Sequence, residues 1–399
     1  MPAKVVVTGI GMVSAMGLGW EPSLAFAKKG KSPVAPPRFL DTLQKGQFPL
    51  AEVPASDDAL RDQLGLGNER VYSRTSLLAI TAAKEAFFMA GIPAWEEVGF
   101  ISGTSVGGMD KGEKLFNGFV RKQGAWDLHY ALVHDCGEST QTVANYLQLT
   151  GKILTISTAC SSAANAIMHG CRLIKAGKAK RIIAGGTDSL TRFTVNGFRS
   201  LMILSDELCQ PFDKNRKGLN LGEGAGYIVL EAEEIVQKEG RTALCEVSGY
   251  ANTCDAYHQT ASSPDGNGAW LAIKGALQQA ALQPGEIDYI NAHGTATPNN
   301  DLSEGIALKR VFGETLPAFS STKALTGHTL GAAGGIEAVL SALSIQKGIL
   351  FPNLHYHTPI DEIGQAPVTT WAENQPIRHV LSNSFGFGGN NTSLVFSVC

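Results

Sequence analysis

A cysteine lies between a strand-like run and a helix-like run. Residues 153–157 are rich in β-branched side chains, and after residue 162 small and apolar residues recur at spacings of three and four. This pattern predicts that Cys160 lies at a helix N-terminus, where free N–H groups and the helix dipole stabilise a thiolate nucleophile. The alternative is a buried cysteine that only fills space, the commonest role of a free thiol.

Two histidines lie in turns rich in glycine and threonine. His293 directly follows a strand-like run at 289–291, and His328 ends a turn that begins at Lys323 and precedes a helix-like run. Loops at strand ends often carry catalytic groups. A single histidine is usually structural, but two in matching positions, together with a candidate thiolate, favour a catalytic role.

Glu337 and Phe387 are two further candidates. Glu337 lies in a helical stretch that is otherwise almost entirely apolar, so we expect it to pair with the turn from Lys323 to His328. A solvent-facing position is the alternative. Phe387 lies in a glycine-rich turn, residues 382–391, which lets backbone N–H groups face a developing oxyanion. A phosphate-binding loop is the competing interpretation, but the turn lacks the lysine and the following helix of such loops.

These candidates must be positioned by alternating strands and helices. Short β-branched runs alternate with longer alanine-rich stretches, which predicts an α/β fold with much parallel strand pairing. Strands are predicted at residues 5–8, 98–102, 153–157, 181–184, 227–231, 245–247, 289–291 and 379–382. Helices are predicted at residues 76–90, 162–176, 269–281 and 334–347.

The two halves of the chain resemble each other. The tripeptide Val-Thr-Gly at residues 7–9 is echoed by Val-Ser-Gly at 247–249, and further matches follow in the same order. The order predicts two copies of one βα unit, residues 1–244 and 245–399, with an insertion at 109–149 that forms a pocket or a dimer contact. Chance similarity between glycine- and serine-rich turns is the alternative.

Composition narrows the class of protein. The 399 residues are 44% hydrophobic and carry a net charge of -3, so a nucleic-acid-binding protein is not expected. The 7 cysteines show no CxxC spacing, which argues against a disulfide framework or a zinc site and favours a reducing cytosol. No apolar run is long enough for a signal peptide or a membrane span, so we expect a soluble, cytoplasmic protein.

Four motifs together resemble the β-ketoacyl-[acyl-carrier-protein] synthases, most closely the elongating type II enzymes. They surround Cys160 (residues 158–162), His293 (293–297), His328 (323–328) and Phe387 (383–389). The resemblance runs nearly end to end and implies the thiolase-like fold, a five-layered αβαβα duplication normally found as a homodimer. Thiolases use a second catalytic cysteine, and initiating synthases have asparagine in place of His328, so two histidines imply decarboxylative elongation.

The resemblance also implies the role of each site residue. Cys160 carries the acyl chain, and His293 and His328 stabilise the enolate that forms as malonyl thioester loses CO2. Lys323 and Glu337 orient and polarise the second histidine. Backbone N–H groups of Cys160 and Phe387 form the oxyanion hole, and Phe387 gates the acyl channel.

The expected partner is an acyl carrier protein, whose phosphopantetheine arm delivers both substrates. No cofactor is expected, because the half-match to a dinucleotide fingerprint at residues 9–14 has no ribose-binding acidic residue after it. No metal is expected either, because His355 and His357 have no acidic or thiol partner beside them. Because carrier proteins are generally acidic, we expect a basic patch near the tunnel mouth. The candidates for that patch are Arg70, Arg74, Arg199, Lys214, Arg216 and Lys217.

Some residues depart from the family pattern. Asn390 stands where the family usually has threonine, and residues 109–149 fit poorly, particularly around Trp126. The departures leave chain length and pathway open between fatty-acid elongation and polyene or polyketide assembly. A heterodimer with a related subunit is an alternative to the homodimer. A non-catalytic chain-length-factor partner is the alternative function, but such subunits lack the active cysteine.

Overall fold

The computed structural model describes residues 4–67, 69–93, 96–121 and 128–399, so Trp126 lies outside the described residues. The strands are β1 (Val5–Ser14), β2 (Gly17–Leu18), β3 (Gly99–Gly103), β4 (Ile153–Ile156), β5 (Arg181–Asp188), β6 (Gly224–Ala232), β7 (Cys245–Cys254), β8 (Tyr289–Asn291), β9 (Ala318–Ser320), β10 (His379–Gly386) and β11 (Asn390–Ser397). Every strand predicted from the sequence overlaps one of these, whereas β2, β9 and β11 were not among the predicted strands.

The helices connect these strands. They are α1 (Trp20–Ala27), α2 (Asp57–Leu64), α3 (Arg74–Ala90), α4 (Met109–Arg121), α5 (His129–Leu132), α6 (Cys136–Tyr146), α7 (Ser162–Lys175), α8 (Arg192–Ser200), α9 (Glu233–Lys238), α10 (Asn267–Ala280), α11 (Pro298–Phe312), α12 (Lys323–Thr326) and α13 (Ala333–Lys347). The four predicted helices correspond to α3, α7, α10 and α13, with boundaries that differ by one or two residues.

The sheet has a symmetric strand order. From one edge to the other it reads β4-β3-β5-β6-β1-β7-β11-β10-β8-β9, and the antiparallel pair β1 and β7 joins the two halves. Outward from β1 the pairings are antiparallel, antiparallel, parallel and parallel. Outward from β7 the same sequence of pairings recurs. Apart from β2, which pairs with the end of β1, the second half of the sheet therefore repeats the first strand for strand. The predicted boundary between residues 244 and 245 stays a prediction.

Helices cover both half-sheets on both sides. The central helices α7 and α13 contact each other and strands of both half-sheets, while α3 packs on β1 and β6 and α10 packs on β7 and β11. Every residue from Ala333 to Ser344 in α13 is buried, as expected for a helix that is apolar on all sides and lies between two sheets. The five layers of the αβαβα arrangement are therefore present.

The repeated tripeptides mark equivalent irregularities in the two halves. The register of β1 against β6 shifts at Thr8, and the register of β7 against β11 shifts at Ser248. The following glycines lie under a helix: a Cβ on Gly9 would be 2.1 Å from the carbonyl oxygen of Ala86, and one on Gly249 would be 2.2 Å from that of Ala276. Glycine is required at both places because the helix backbone leaves no room for a side chain.

In the described part of the chain, no helix combines the length and the apolar character needed to cross a bilayer.

Candidate active site

Cys160 lies in a tight elbow between β4 and α7. The preceding residue, Ala159, has a left-handed backbone (φ 52°), which turns the chain sharply before the helix begins at Ser162. The Ser162 hydroxyl donates to the carbonyl of Ala159 at 2.6 Å and accepts from the N–H of Thr158 at 2.9 Å. The elbow thus places Cys160 at the start of α7, as the sequence predicted.

His328 contacts the cysteine directly. Its Nε2 lies 3.1 Å from the Sγ of Cys160, and both side chains are buried. The backbone N–H of His328 donates to Asn220, and its carbonyl accepts from Gly222, so the turn is fixed by a neighbouring segment. Because a neutral imidazole nitrogen either donates or accepts, Nε2 can accept from a thiol or donate to a thiolate.

Lys323 contacts His293 and not His328, which corrects the role implied by the family resemblance. Its Nζ lies 3.4 Å from the Nδ1 of His293 and 2.5 Å from the Oε1 of Glu337. Lys323 begins α12, whereas His328 lies beyond the left-handed turn at Gly327, so the two side chains approach the site from different ends of this segment. The predicted pairing of Glu337 with the turn is confirmed through Lys323.

The contact with Lys323 determines which nitrogen of His293 carries the proton. A lysine amine in its charged form can only donate hydrogen bonds, so the Nδ1 of His293 accepts. A neutral His293 therefore has its proton on Nε2. The two imidazoles lie edge to face, with ring centroids 5.4 Å apart, and both line the same cavity.

Burial determines the electrostatics of the site. It lowers the pKa of His293 and of His328 well below the usual value, and the charge of Lys323 acts in the same direction. Both imidazoles are therefore neutral at neutral pH. Burial also raises the pKa of Glu337, against the opposing effect of Lys323.

The same burial acts on the nucleophile. It raises the pKa of Cys160 to about 12, although Lys323 and the backbone N–H groups of Phe387 and Cys160 favour the thiolate. The predicted stabilisation by N–H groups is therefore present, but desolvation outweighs it in this closed site. The resting sulfur is a thiol, and the imidazole of His328 is within hydrogen-bonding distance of its proton.

Two buried carboxylates that the sequence analysis did not single out hold the turn after His293. Glu304 accepts from the backbone N–H groups of His293 at 2.9 Å and Gly294 at 2.8 Å, and burial raises its pKa to about 7. Asp301 accepts from the N–H of Ala296 at 3.1 Å. Both lie on α11, three residues apart, and this spacing on the helix after the turn is the signal that could have identified them.

Phe387 lies in the turn that joins β10 to β11. Its backbone N–H faces the sulfur of Cys160, as the resemblance implied. Its ring stacks on Phe198 of α8, with centroids 5.7 Å apart and an angle of 18° between the planes. Phe198 was not among the candidates from the sequence. Phe387 lines the cavity beside the nucleophile, and Phe198 packs against its ring.

The cavity has a volume of about 260 Å³. All the predicted site residues line it except Lys323 and Glu337, which are buried behind His293. Cys160, His293, His328 and Phe387 line its inner end. Its outer part is lined mainly by small and polar residues: Thr260, Ala261, Ser262, Thr295, Thr297, Asn299 and Asn300. Within the described ranges, no group of three or more His, Cys, Asp or Glu side chains is arranged to hold a metal ion.

The six basic residues predicted for a patch fall into different environments. Arg74 is buried in ion pairs with Glu223 and Asp57, so it is excluded from a surface patch. The side chain of Arg216 is also largely buried and donates to the carbonyls of Thr297 and Pro298. Both predictions were wrong, because these guanidinium groups hold loops together. The other four lie on the surface. Arg70, Lys214 and Lys217 each form an ion pair, and Arg199 is exposed.

Comparison with known proteins gives a consistent result. The β-ketoacyl synthase N-terminal domain matches residues 3–235, and the β-ketoacyl synthase C-terminal domain matches residues 244–357. The chain is 34% identical to the 3-oxoacyl-[acyl-carrier-protein] synthase 2 of Staphylococcus aureus (strain COL), over 98% of both sequences.

Solved structures agree in fold. The chain superposes on the ishigamide ketosynthase/chain length factor with a TM-score of 0.93, at 29% identity and full coverage of both chains. It also superposes on a type II PKS ketosynthase, solved in complex with its acyl-carrier protein and bound to the hexaketide, with a TM-score of 0.90 at 26% identity and full coverage of both chains. These similarities confirm the predicted thiolase-like fold.

Proposed function

The chain belongs to the β-ketoacyl synthase family, and from this premise we propose how its own residues carry out the condensation. The protein is an acyltransferase that joins an acyl chain to malonyl-acyl-carrier-protein with loss of CO2. The observation that carries the proposal is the convergence of Cys160, His328 and His293 on one cavity, with Lys323 against the far side of His293.

The first half-reaction loads Cys160. The sulfur transfers its proton through His328 and attacks the acyl thioester of the carrier. The carbonyl oxygen becomes an oxyanion that the backbone N–H groups of Cys160 and Phe387 stabilise. Collapse of this intermediate breaks the carrier C–S bond, and the carrier leaves as a thiol with the proton taken from Cys160.

The second half-reaction uses both histidines. Once Cys160 is acylated, the proton of neutral His328 moves from Nδ1 to Nε2. The malonyl thioester carbonyl then accepts hydrogen bonds from the Nε2–H groups of His293 and His328, and the bond to the carboxylate breaks with release of CO2. The electron pair moves into an enolate, which the imidazole N–H groups stabilise. For His293 this donor is the Nε2–H, because Nδ1 is occupied by Lys323. The enolate carbon then attacks the Cys160 thioester, and the C–S bond breaks as the β-ketoacyl chain forms on the carrier. The sulfur leaves as a thiolate and takes up one proton from solvent, which restores the resting thiol.

Intact mass spectrometry of the chain tests this assignment. Incubation with an acyl-carrier-protein thioester should add one acyl mass to the wild type and to Cys254→Ala, which changes an exposed cysteine near the turn. Cys160→Ala should add none, and an acyl adduct on that variant would overturn the role of Cys160.

His293→Ala should load normally but release little CO2 from malonyl thioester. A wild-type rate of CO2 release in this variant would exclude the role of His293.

We propose that an acyl carrier protein docks near α8. The mouth of the cavity is lined by uncharged small and polar residues, which suit a phosphopantetheine arm, and Arg199 is exposed at the end of the helix that carries Phe198. Arg199→Glu should raise the KM for the carrier-bound substrate and leave the rate with a short pantetheine thioester unchanged, since only the carrier carries acidic charge. Equal effects on both substrates would exclude a docking role.

We further propose that a second copy of the chain covers an exposed apolar surface. This α4–α8 face consists of large apolar side chains on α4, α5 and α8 and next to α5: Phe116, Val120, Leu128, Leu132 and Phe193. Apolar patches of this kind mark interfaces. Because this chain has its own cysteine and both histidines, it does not need a catalytic partner, and light scattering of the purified chain should give twice the mass of one chain. If the purified chain is a monomer and dimerises only when a related subunit is added, the homodimer is wrong and a heterodimer takes its place.

A cytoplasmic location also stays a proposal. All seven cysteines are free thiols, which suits a reducing compartment. Cell fractionation should find the protein with cytosolic markers, and recovery in a secreted or membrane fraction would contradict this location.

A further inference from the structure

Asn390, the residue that departs from the family pattern, receives three hydrogen bonds on one oxygen. Its Oδ1 accepts from the Ser161 hydroxyl at 2.7 Å, from the Asn165 side-chain amide at 2.9 Å and from the Asn252 side-chain amide at 2.7 Å. Two of these donors belong to the start of the nucleophile helix, α7, and Asn252 belongs to β7. One amide oxygen thus joins three segments that are distant in sequence.

The donors from α7 are themselves fixed next to Cys160. Ser161 directly follows the nucleophile, and its side chain is completely buried. The Asn165 amide also donates to the Thr158 hydroxyl at 2.9 Å, and its carbonyl oxygen accepts from Thr392 at 2.8 Å. Ser161, Asn165 and Thr392 are buried, whereas Asn390 is half-buried and Asn252 is exposed. The buried hydrogen bonds on the α7 side hold their members in one arrangement. The position of Asn390 relative to the elbow is therefore fixed.

The turn that carries Phe387 is attached to the elbow at both of its ends. Before the turn, Gly386 lies so close that a Cβ would be 3.2 Å from the backbone nitrogen of Cys160 and 3.0 Å from the carbonyl oxygen of Thr158. After the turn, Asn390 pairs with Gly386 across β10 and β11 and hydrogen-bonds to Ser161. Between these two points, Gly388 and Gly389 adopt left-handed backbones (φ 81° and 76°). The Gly388 N–H donates to the carbonyl of Gln259 and the Gly389 carbonyl accepts from the N–H of Asp255, so these bonds hold the turn to the segment after β7 and not to the elbow.

We propose that Asn390 is a positioning residue that holds the Phe387 N–H in register with the Cys160 N–H, so that both donors reach the same oxyanion. The inference rests on the proposed function and deepens it. An oxyanion hole depends on donors fixed in place before the reaction, and small displacements of a reacting group can cost about a hundredfold in rate. Asn390 touches no substrate and acts only through the backbone of this turn.

The two half-reactions separate this role from a general structural one. Loading of Cys160 passes through the oxyanion held by Phe387, whereas malonyl decarboxylation depends on the enolate held by the histidines. Asn390→Ala should therefore lower the rate of Cys160 acylation by about tenfold or more, and leave malonyl decarboxylation and alkylation of Cys160 by iodoacetamide within about threefold of the wild type. Ser161→Ala removes one of the two donors from α7, the one next to the nucleophile, and should give the same pattern.

Asn252→Ala is the matched control. It removes one hydrogen bond from the same oxygen but keeps both contacts to α7, so acylation should change less than about threefold. The double variant Ser161→Ala/Asn390→Ala should lose no more acylation than Asn390→Ala alone, because replacing Asn390 already removes the hydrogen bond from Ser161. If Asn390→Ala does not fold, the single variants Asn390→Thr and Ser161→Ala replace it in the comparison. The acylation rate of Asn390→Thr should then lie between those of the wild type and Ser161→Ala.

The outcomes are distinct. Selective loss of acylation supports the positioning role. A parallel loss of acylation and decarboxylation in a folded variant, or no loss of either, overturns it. If the wild type itself fails to acquire an acyl mass, the proposed condensation fails instead, and the two results cannot be confused.

Discussion

Behind the catalytic cavity, a lysine and a carboxylate are buried as a pair. The Nζ of Lys323 and the Oε1 of Glu337 are 2.5 Å apart, and both side chains are almost inaccessible to solvent. A buried ion pair of this kind adds little net stability, because desolvation offsets the attraction, but loss of one partner leaves an uncompensated charge. Its use here is to present one fixed donor to the Nδ1 of His293.

Substitutions at this pair should separate stability from catalysis. Glu337→Ala should lower the free energy of unfolding by about 3–5 kcal/mol, because Lys323 loses its partner, and Lys323→Met/Glu337→Leu should recover most of this. Although its stability recovers, the double variant should release CO2 from malonyl thioester at least about tenfold more slowly than the wild type. The reason is that His293 loses the contact that sets its proton on Nε2. Urea unfolding and CO2 release measure the two effects, and wild-type CO2 release in the double variant would contradict the role of Lys323.

The raised pKa of Cys160 gives a prediction for its reactivity. Because the pKa is about 12, the thiolate is a small fraction at neutral pH and grows tenfold for each pH unit. The rate of iodoacetamide labelling of Cys160 should rise about tenfold per unit between roughly pH 7 and 9, measured by peptide mass in the substrate-free protein. A rate that is constant above about pH 7.5 would show that the thiolate is already formed.

At the scale of elements, the contact between β1 and α3 depends on a residue without a side chain. Gly9 lies where a Cβ would overlap the backbone of α3, and Gly249 occupies the equivalent place under α10. The two contacts are equivalent because the two half-sheets have the same strand order and the same irregularity. Helices α3 and α10 belong to the outer layers, so the glycines determine how closely these layers pack on the sheet.

Alanine at this contact should be destabilising. Gly9→Ala should lower the free energy of unfolding by at least about 2 kcal/mol, because the helix backbone must shift to make room. The matched control is Gly197→Ala in α8, where a Cβ would have no atom within 4 Å. This substitution should raise the free energy of unfolding by up to about 1 kcal/mol, because alanine has a higher helix propensity than glycine. Equal stability of the two variants in urea unfolding would contradict the packing described for β1 and α3.

At the scale of the whole molecule, the α4–α8 face is the test of assembly. Phe116 on this face is 65% exposed, and Phe88 on α3 is 67% exposed and lies outside it. If a second copy covers the face, Phe116→Asp should give monomers in light scattering at about micromolar concentration, because a charge would be buried without a partner. Phe88→Asp should remain dimeric. A dimeric Phe116→Asp variant would show that the chains associate through another surface.

Much of the architecture could be predicted because it depends on local patterns. Short β-branched runs and longer alanine-rich stretches predicted eight strands and four helices, and the order of short motifs predicted the repeat of the two halves that the strand order confirms. The same local chemistry identified Cys160 at its elbow and the two histidines in their turns. These features depend on residues that are close in sequence, so a single chain is enough to recognise them.

The sequence alone therefore determined eight of the strands, four of the helices, their order and the types of residue available for catalysis. Only the tertiary structure decided that Lys323 contacts His293, that Arg74 and Arg216 are buried, and that Asn390 joins the elbow to the turn of Phe387. It also decided that desolvation raises the pKa of Cys160. The reason is physical: these properties depend on packing between segments that are distant in the chain, and neither burial nor a contact of this kind is set by neighbours in sequence.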